Sequence, residues 1–267
     1  MTGPHLLRIY VAECRKTLGR GSGWTALGVA AGVGLLSVLV LAAGRHLGSQ
    51  AVVNGATLPE VIRFTGPTAL SWALHARNFY VLPLVLLWAT GASFAGEIAD
   101  HTLREALVRP VPRAVVLAAK VLALATLSAA SLIVTATVAG AAGAALFGLE
   151  GTWGTVLAGF AASWLTDLGL IGLGVLASLW FRSVAGAVVG VVLMLMADLA
   201  ARLALKLVAA LGFETAGTLV RWMPGEALAA WEGYADGWVG AAFVGLLVLL
   251  GGTLGLAFLR LRRLDLP

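Results

Sequence analysis

Two carboxylates interrupt otherwise uncharged, apolar stretches of this chain, and an ionisable group surrounded by hydrocarbon is costly unless it is paired or put to use. Asp167 stands mid-run in Trp164-Leu165-Thr166-Asp167-Leu168-Gly169, where a carboxylate could bind an ion or relay a proton. Asp198 differs, because Arg202 and Lys206 follow at i+4 and i+8 on the same helical face and offer it a local ion pair. The other chemistry-bearing stretch runs from Glu97 through Asp100, Thr102, Arg104, Glu105, Arg109, Pro110 and Arg113 to Lys120. Leu103, Leu107 and Pro110 fall at i, i+4 and i+7, so a short helix there presents an apolar stripe flanked by Arg104, Glu105 and Arg109. Pro110 and Pro112 then stop it. Such a helix on a stiff stalk suits docking into a cleft of a soluble partner.

Catalytic patterns are missing. The only lysines, Lys16, Lys120 and Lys206, follow Arg, Ala and Leu, so no Gly-Lys-Ser/Thr phosphate loop exists. Neither Gly-x-Ser-x-Gly, His-Glu-x-x-His nor Cys-x-x-Cys occurs, and neither span aspartate lies in a Gly-x-Gly-Asp context. His46 and His75 lack the carboxylate or cysteine neighbours of a metal site, and Cys14 is alone, which rules out an internal disulfide.

The elements that must position these residues are set by composition. The 267 residues are 60% hydrophobic and 12% charged, with a mean hydropathy of +0.96. That is about half the usual charge of a soluble domain, so a water-soluble fold and disorder are both excluded. The basic pI near 10.0 does not indicate nucleic acid, since so apolar a chain has no solvated basic face of useful size. About 20 helical residues cross a bilayer. Residues 21–44, 78–96, 121–149 and 237–259 carry no charge, and the runs between Glu150 and Arg182 and between Arg182 and Arg202 carry only Asp167 and Asp198. These runs are apolar on every face, unlike barrel strands. The expected fold is therefore all-α and polytopic, with an interfacial helix at 4–20 and spans at 24–44, 78–96, 118–147, 153–181, 184–206 and 238–260.

Lys and Arg accumulate beside cytoplasmic helix ends. Counting loop by loop puts 12 of them on the side of the two termini and 6 on the other, so both termini are expected in the cytoplasm. The first apolar stretch is too long for a secretory signal's core, which is about 7–15 residues, and reads as a retained span. On α-helical geometry Leu7, Tyr10, Val11, Cys14 and Leu18 gather opposite Arg8, Glu13, Arg15, Lys16 and Arg20, the pattern of an elbow lying on the inner leaflet or of a basic leader that sets topology. The outer loop from Arg45 to Arg77 contains Asn54-Gly55, Pro59 and Gly66-Pro67 between short amphipathic pieces. The outer segment 207–236 carries Trp222, Met223, Pro224, Trp231 and Tyr234, consistent with short helices in the outer interface or with an ordinary aromatic belt. Fifteen Arg against three Lys, with abundant Ala and Gly, suits a prokaryotic inner membrane.

Glu97, Thr102-Leu103, Leu107, Pro110-Val111-Pro112-Arg113 and Lys120 match, in order and spacing, the first cytoplasmic loop of ABC-2-type permeases, the membrane subunits of ATP-binding cassette exporters. His101 departs from that pattern, standing where the family usually has Gly. The resemblance extends to the six-span layout, the elbow and the outer segment. It implies that 97–113 is a coupling segment seated in a nucleotide-binding subunit, with Glu97, Arg113 and Lys120 holding it to the membrane domain through charge pairs. It also implies two separate ATPase subunits carrying ATP and Mg, and a second permease copy or a sibling permease. The chain itself would be no enzyme and would hold no cofactor or metal. The alternatives are a secondary, ion-coupled carrier using Asp167 and a non-transporting membrane assembly subunit.

Overall fold

In a span whose side chains are Leu, Val, Ala and Gly, the backbone is the only polar group, and a helix satisfies it within one segment. The computed structural model follows this rule over the residues it describes, 3–47, 52–53, 56–57, 63–103, 111–232 and 239–263. Helix α1 (Gly3–Gly19) turns at Arg20 into α2 (Gly21–Leu47). A two-residue antiparallel ladder then pairs Val52 with Thr57 and Val53 with Ala56. Next come α3 (Gly66–Ala76), a π-helical turn (Arg77–Val81), α4 (Leu82–Gly91), a second π-helical turn (Ala92–Gly96) and a final turn, Glu97–Ala99. Helices α5 (Arg113–Phe147), α6 (Trp153–Phe181) and α7 (Val184–Ala210) are long; α8 (Glu214–Val220) and α9 (Pro224–Leu228) are short, and α10 (Val239–Arg263) ends the described chain.

Six helices are long and apolar enough to cross a membrane: Gly21–Leu47, Leu82–Ala99, Arg113–Phe147, Trp153–Phe181, Val184–Ala210 and Phe243–Arg263. The protein is thus an all-α polytopic membrane protein. Helix α5 packs on α1, α2 and α3, while α6 packs on α4, α7 and α10. The ends of α1 and α10 meet the 97–113 connection at one end of the bundle, here called the terminal end. The α5–α6 turn and α9 lie at the far end. There, Gly148 has φ 84°, a left-handed conformation that a residue with a Cβ rarely adopts, and it closes the turn after α5.

The outer loop read as ending at Arg77 is shorter than expected. Thr65 caps α3, its hydroxyl accepting from the Thr68 N–H at 3.3 Å, and Pro67 fits the first turn. Helical structure then continues from Gly66 to Ala99, so Arg77 is not a loop residue. It lies 11 residues along the helix, roughly 16 Å at 1.5 Å per residue, and is 0% exposed.

The faces of α1 also have a definite assignment. Leu7, Val11 and Leu18 are exposed, as lipid-facing side chains would be, while Glu13, Lys16 and Arg20 turn toward the bundle. Tyr10 bonds Thr126 of α5 at 2.8 Å, so the helix runs along α5 rather than away from it. Those three face inward because their partners are there, whereas Arg8 and Arg15 remain exposed.

Candidate functional site

The polar side chains form three layers along the bundle, and each occupies ground between apolar clusters. At the terminal end the hub is Glu97, 2% exposed. Its Oε1 accepts from Lys16 Nζ at 2.6 Å and Arg20 Nη2 at 2.9 Å, and its Oε2 from Lys120 Nζ at 2.7 Å. Lys120, 1% exposed, also reaches Glu13 Oε2 at 2.9 Å and lies 5.8 Å from the centre of the Phe94 ring. Arg20 further donates to the Ala92 carbonyl at 3.2 Å, inside the second π-helical turn. Two acids and three bases thus tie α1, α5 and the end of the second span together. Glu97 and Lys120 are its buried pair, and that contact is costly to break because removing one charge leaves the other uncompensated in the bundle.

The segment after Glu97 starts on a strained corner. Asp100 is exposed and its N–H donates to the Gly96 carbonyl at 2.9 Å, ending the helix. His101 then takes φ 58°. This is the left-handed conformation for which glycine is the unstrained choice, and it explains why a glycine is the expected residue there. Thr102 Oγ1 lies 3.5 Å from the Glu97 carbonyl, the outer limit of a hydrogen bond. Leu103 requires a correction. Its side chain is 1% exposed and packs in the cluster of Phe94, Leu117, Leu124 and Ile171. It therefore anchors the segment in the membrane domain and is not part of an outward docking stripe. Arg104, Leu107, Arg109 and Pro110 lie outside the described residues. At the other end of the segment Arg113 Nη1 donates to the carbonyls of Leu261 (2.7 Å) and Arg262 (2.9 Å), so it meets the negative end of α10 in place of a carboxylate.

The middle layer holds Asp167, 5% exposed and 14 residues from either end of α6. Its Oδ2 accepts from Arg77 Nη2 at 2.6 Å and from the Ser128 hydroxyl. Arg77 spends its remaining bonds on Ser131 Oγ (3.2 Å), Ser163 Oγ (3.1 Å) and Asn78 Oδ1 (2.7 Å), and Ser163 also donates to Asn78 Oδ1 at 2.9 Å. The pair is electrically neutral and mostly hydrogen-bonded, the condition under which charges persist in a bundle. Asp167 is therefore not a lone carboxylate. The π-helical turn matters here, since it contains the adjacent Arg77 and Asn78, both of which join the same cluster. Arg77 was missed in the sequence because it was placed in a loop. The cap signal Thr65-Gly66-Pro67-Thr68 was the clue that the helix begins earlier.

At the far end Asp198 does pair with Arg202, Oδ2 to Nε at 2.8 Å. The same Oδ2 accepts from the Gly225 N–H at 3.2 Å, while Arg202 Nη1 reaches Glu226 Oε2 at 3.0 Å. Lys206 approaches Glu226 at 3.9 Å. A Cβ on Gly225 would overlap the ends of both the Asp198 carboxylate and the Arg202 guanidinium, so a side chain there would have to displace the latch. The aspartate thus latches an outer helix as well as its own helical neighbour.

Against known proteins, no curated protein matches the chain. A family model described as ABC-2 family transporter protein matches residues 52–201, which contain the Glu97 hub's span, the 97–113 segment, the Arg77–Asp167 pair and Asp198. The match covers more than half of the 267 residues, and it agrees with six membrane-capable helices and a tethered loop between the second and third spans. The chain belongs to the ABC-2 family of transporter proteins and is a membrane permease.

Proposed function

We propose that the chain is the membrane-spanning subunit of an ABC transporter, which moves a substrate across or out of the cytoplasmic membrane by conformational coupling to a separate ATPase. The observation that carries this is the tethering of 97–113 at both ends. Glu97 is gripped by α1 and α5, Leu103 is sunk in the core, and Arg113 holds the end of α10. A push on a segment so anchored reaches four helices at once, whereas a slack loop would absorb it.

In this account the 104–110 stretch meets the ATPase, two ATPase subunits carry the ATP and Mg, and the permease works with a second copy or a sibling. The terminal end faces the cytoplasm. Moving Arg77 into the bundle strengthens that orientation, since the far-side loops and helix ends then hold five bases against twelve. The test is to purify the chain in mild detergent from its host and identify its companions. A stoichiometric polypeptide with a phosphate-binding loop supports the proposal, and its reproducible absence overturns it. Leu107→Asp should release that partner with the membrane domain intact. Leu103 is unsuitable for that test because its substitution attacks the core.

A further inference from the structure

At the terminal end four arginines stand outside every ion pair among the described residues: Arg182, Arg260, Arg262 and Arg263. We propose that the corner they form, between the end of α6 and the end of α10, binds the phosphate of an acidic phospholipid. The inference goes beyond the permease account and needs only that the chain spans a membrane.

The two helices place the corner at the edge of the bilayer. Along α6 the exposed side chains of Trp180 and Phe181 are followed at once by exposed Arg182, and along α10 exposed Leu256 and Leu259 give way to Arg260, Arg262 and Arg263. The Arg260 guanidinium lies 5.3 Å from the centre of the Trp180 ring, so both helices change from apolar to basic at one height. Exposed apolar surface that ends in bases meets the lipid headgroups there.

Two of the four are held in place by rings. Arg262 lies over Phe258, 5.9 Å from its centre, as Arg260 lies over Trp180. Stacking engages the face of a guanidinium and leaves its edge to donate to phosphate oxygens, with less side-chain entropy still to lose. Arg260 buries its Nε, but its two terminal nitrogens are neither buried nor bonded among the described residues. Carbonyls at the end of α10 would repel a phosphate, and those of Leu261 and Arg262 are taken by Arg113. Charge then decides the lipid class. Lys16, Arg20 and Lys120 share Glu13 and Glu97, whereas no carboxylate among the described residues pairs with the corner. A zwitterionic headgroup brings an ammonium that four uncompensated bases repel, and an acidic glycerol headgroup brings none.

The test uses the full chain in phosphatidylcholine nanodiscs that contain a small fraction of phosphatidylglycerol or phosphatidylcholine carrying a photoreactive diazirine near the top of one acyl chain. Cross-linked peptides are identified by mass spectrometry. The expected result is labelling at 180–183 and 256–263 by the phosphatidylglycerol probe, displaced by unlabelled phosphatidylglycerol and stronger than labelling by the phosphatidylcholine probe. Arg182→Gln combined with Arg260→Gln should weaken that binding about fivefold for each arginine removed. Arg8→Gln combined with Arg15→Gln, which removes two exposed bases of α1, should leave it unchanged, because a general attraction of acidic lipid to the terminal end is not the claim. Equal labelling by the two probes, equal losses in the two double variants, or unchanged labelling in Arg182→Gln with Arg260→Gln would overturn the proposal. So would a corner that neither probe labels and that a co-purified soluble protein shields from arginine modification, which would mark a protein interface. The preference between probes in the unsubstituted chain decides the matter if the corner variant does not fold.

Discussion

Removing either charge of the Arg77–Asp167 pair should be far more damaging than removing both. Arg77 is 0% exposed and Asp167 5%, and their 2.6 Å contact is the only ion pair of the middle layer among the described residues. Asp167→Leu leaves a guanidinium in the bundle with only Ser131, Ser163 and Asn78 as partners; Arg77→Met leaves a carboxylate with Ser128. Each single change should cost about 3–5 kcal/mol, the usual penalty for an orphaned buried charge. In the double variant both charges are gone, and Ser128 can turn to a carbonyl of its own helix, as Ser178 does to Gly174 at 2.6 Å. That variant should lie within about 2 kcal/mol of the unsubstituted protein, which gives a coupling of about 4 kcal/mol or more. The assay is SDS-titrated unfolding of all four proteins in mixed micelles, followed by circular dichroism. Additive costs, or single-variant costs below about 1 kcal/mol, would refute the claim that the pair is a mutually dependent buried unit. They would also return Asp167 to the position of a lone carboxylate, as the carrier alternative requires.

Three further outcomes follow from the other layers. Glu97→Gln removes the charge shared by Lys16, Arg20 and Lys120 while Glu13 still serves Lys120, so it should cost about 2–3 kcal/mol and speed hydrogen exchange in α1; unchanged exchange across Gly3–Gly19 would contradict the hub. His101→Gly should stabilise by up to about 1 kcal/mol and His101→Val should destabilise, because φ is 58° there; a thermal-unfolding series in the opposite order would show that the corner is not strained. Gly225→Ala should break the latch by displacing the Asp198 and Arg202 side-chain ends, which a cysteine pair across α7 and α9 would register as weakened cross-linking. Cross-linking as efficient as in Gly225 protein would contradict the latch.

The six spans were legible because lipid asks only for length, apolarity and charge placement, all of which a sequence displays directly. Partnerships were not. Arg77 and Asp167 are 90 residues apart, and nothing in hydropathy says which helices become neighbours. Glu97 and Lys120 were singled out, yet the bases contributed by the elbow, Lys16 and Arg20, were read only as one face of an interfacial helix. Leu103 shows the opposite failure. Its i, i+4 relation to Leu107 marks an apolar stripe, but periodicity cannot tell a stripe aimed at a partner from one aimed at the protein's own core. Asp198 was readable as far as its i+4 arginine, while its bond to Gly225 N–H depends on a close approach that only the folded chain reveals.

The most direct test of the central claim is the composition of the complex purified from the native membrane, with and without Leu107→Asp. The account predicts a stoichiometric ATPase bearing a phosphate-binding loop beside the unsubstituted chain, and its loss from a variant that still unfolds at the same temperature. A chain that purifies without any such ATPase, or a Leu107→Asp variant that keeps it, would contradict the account.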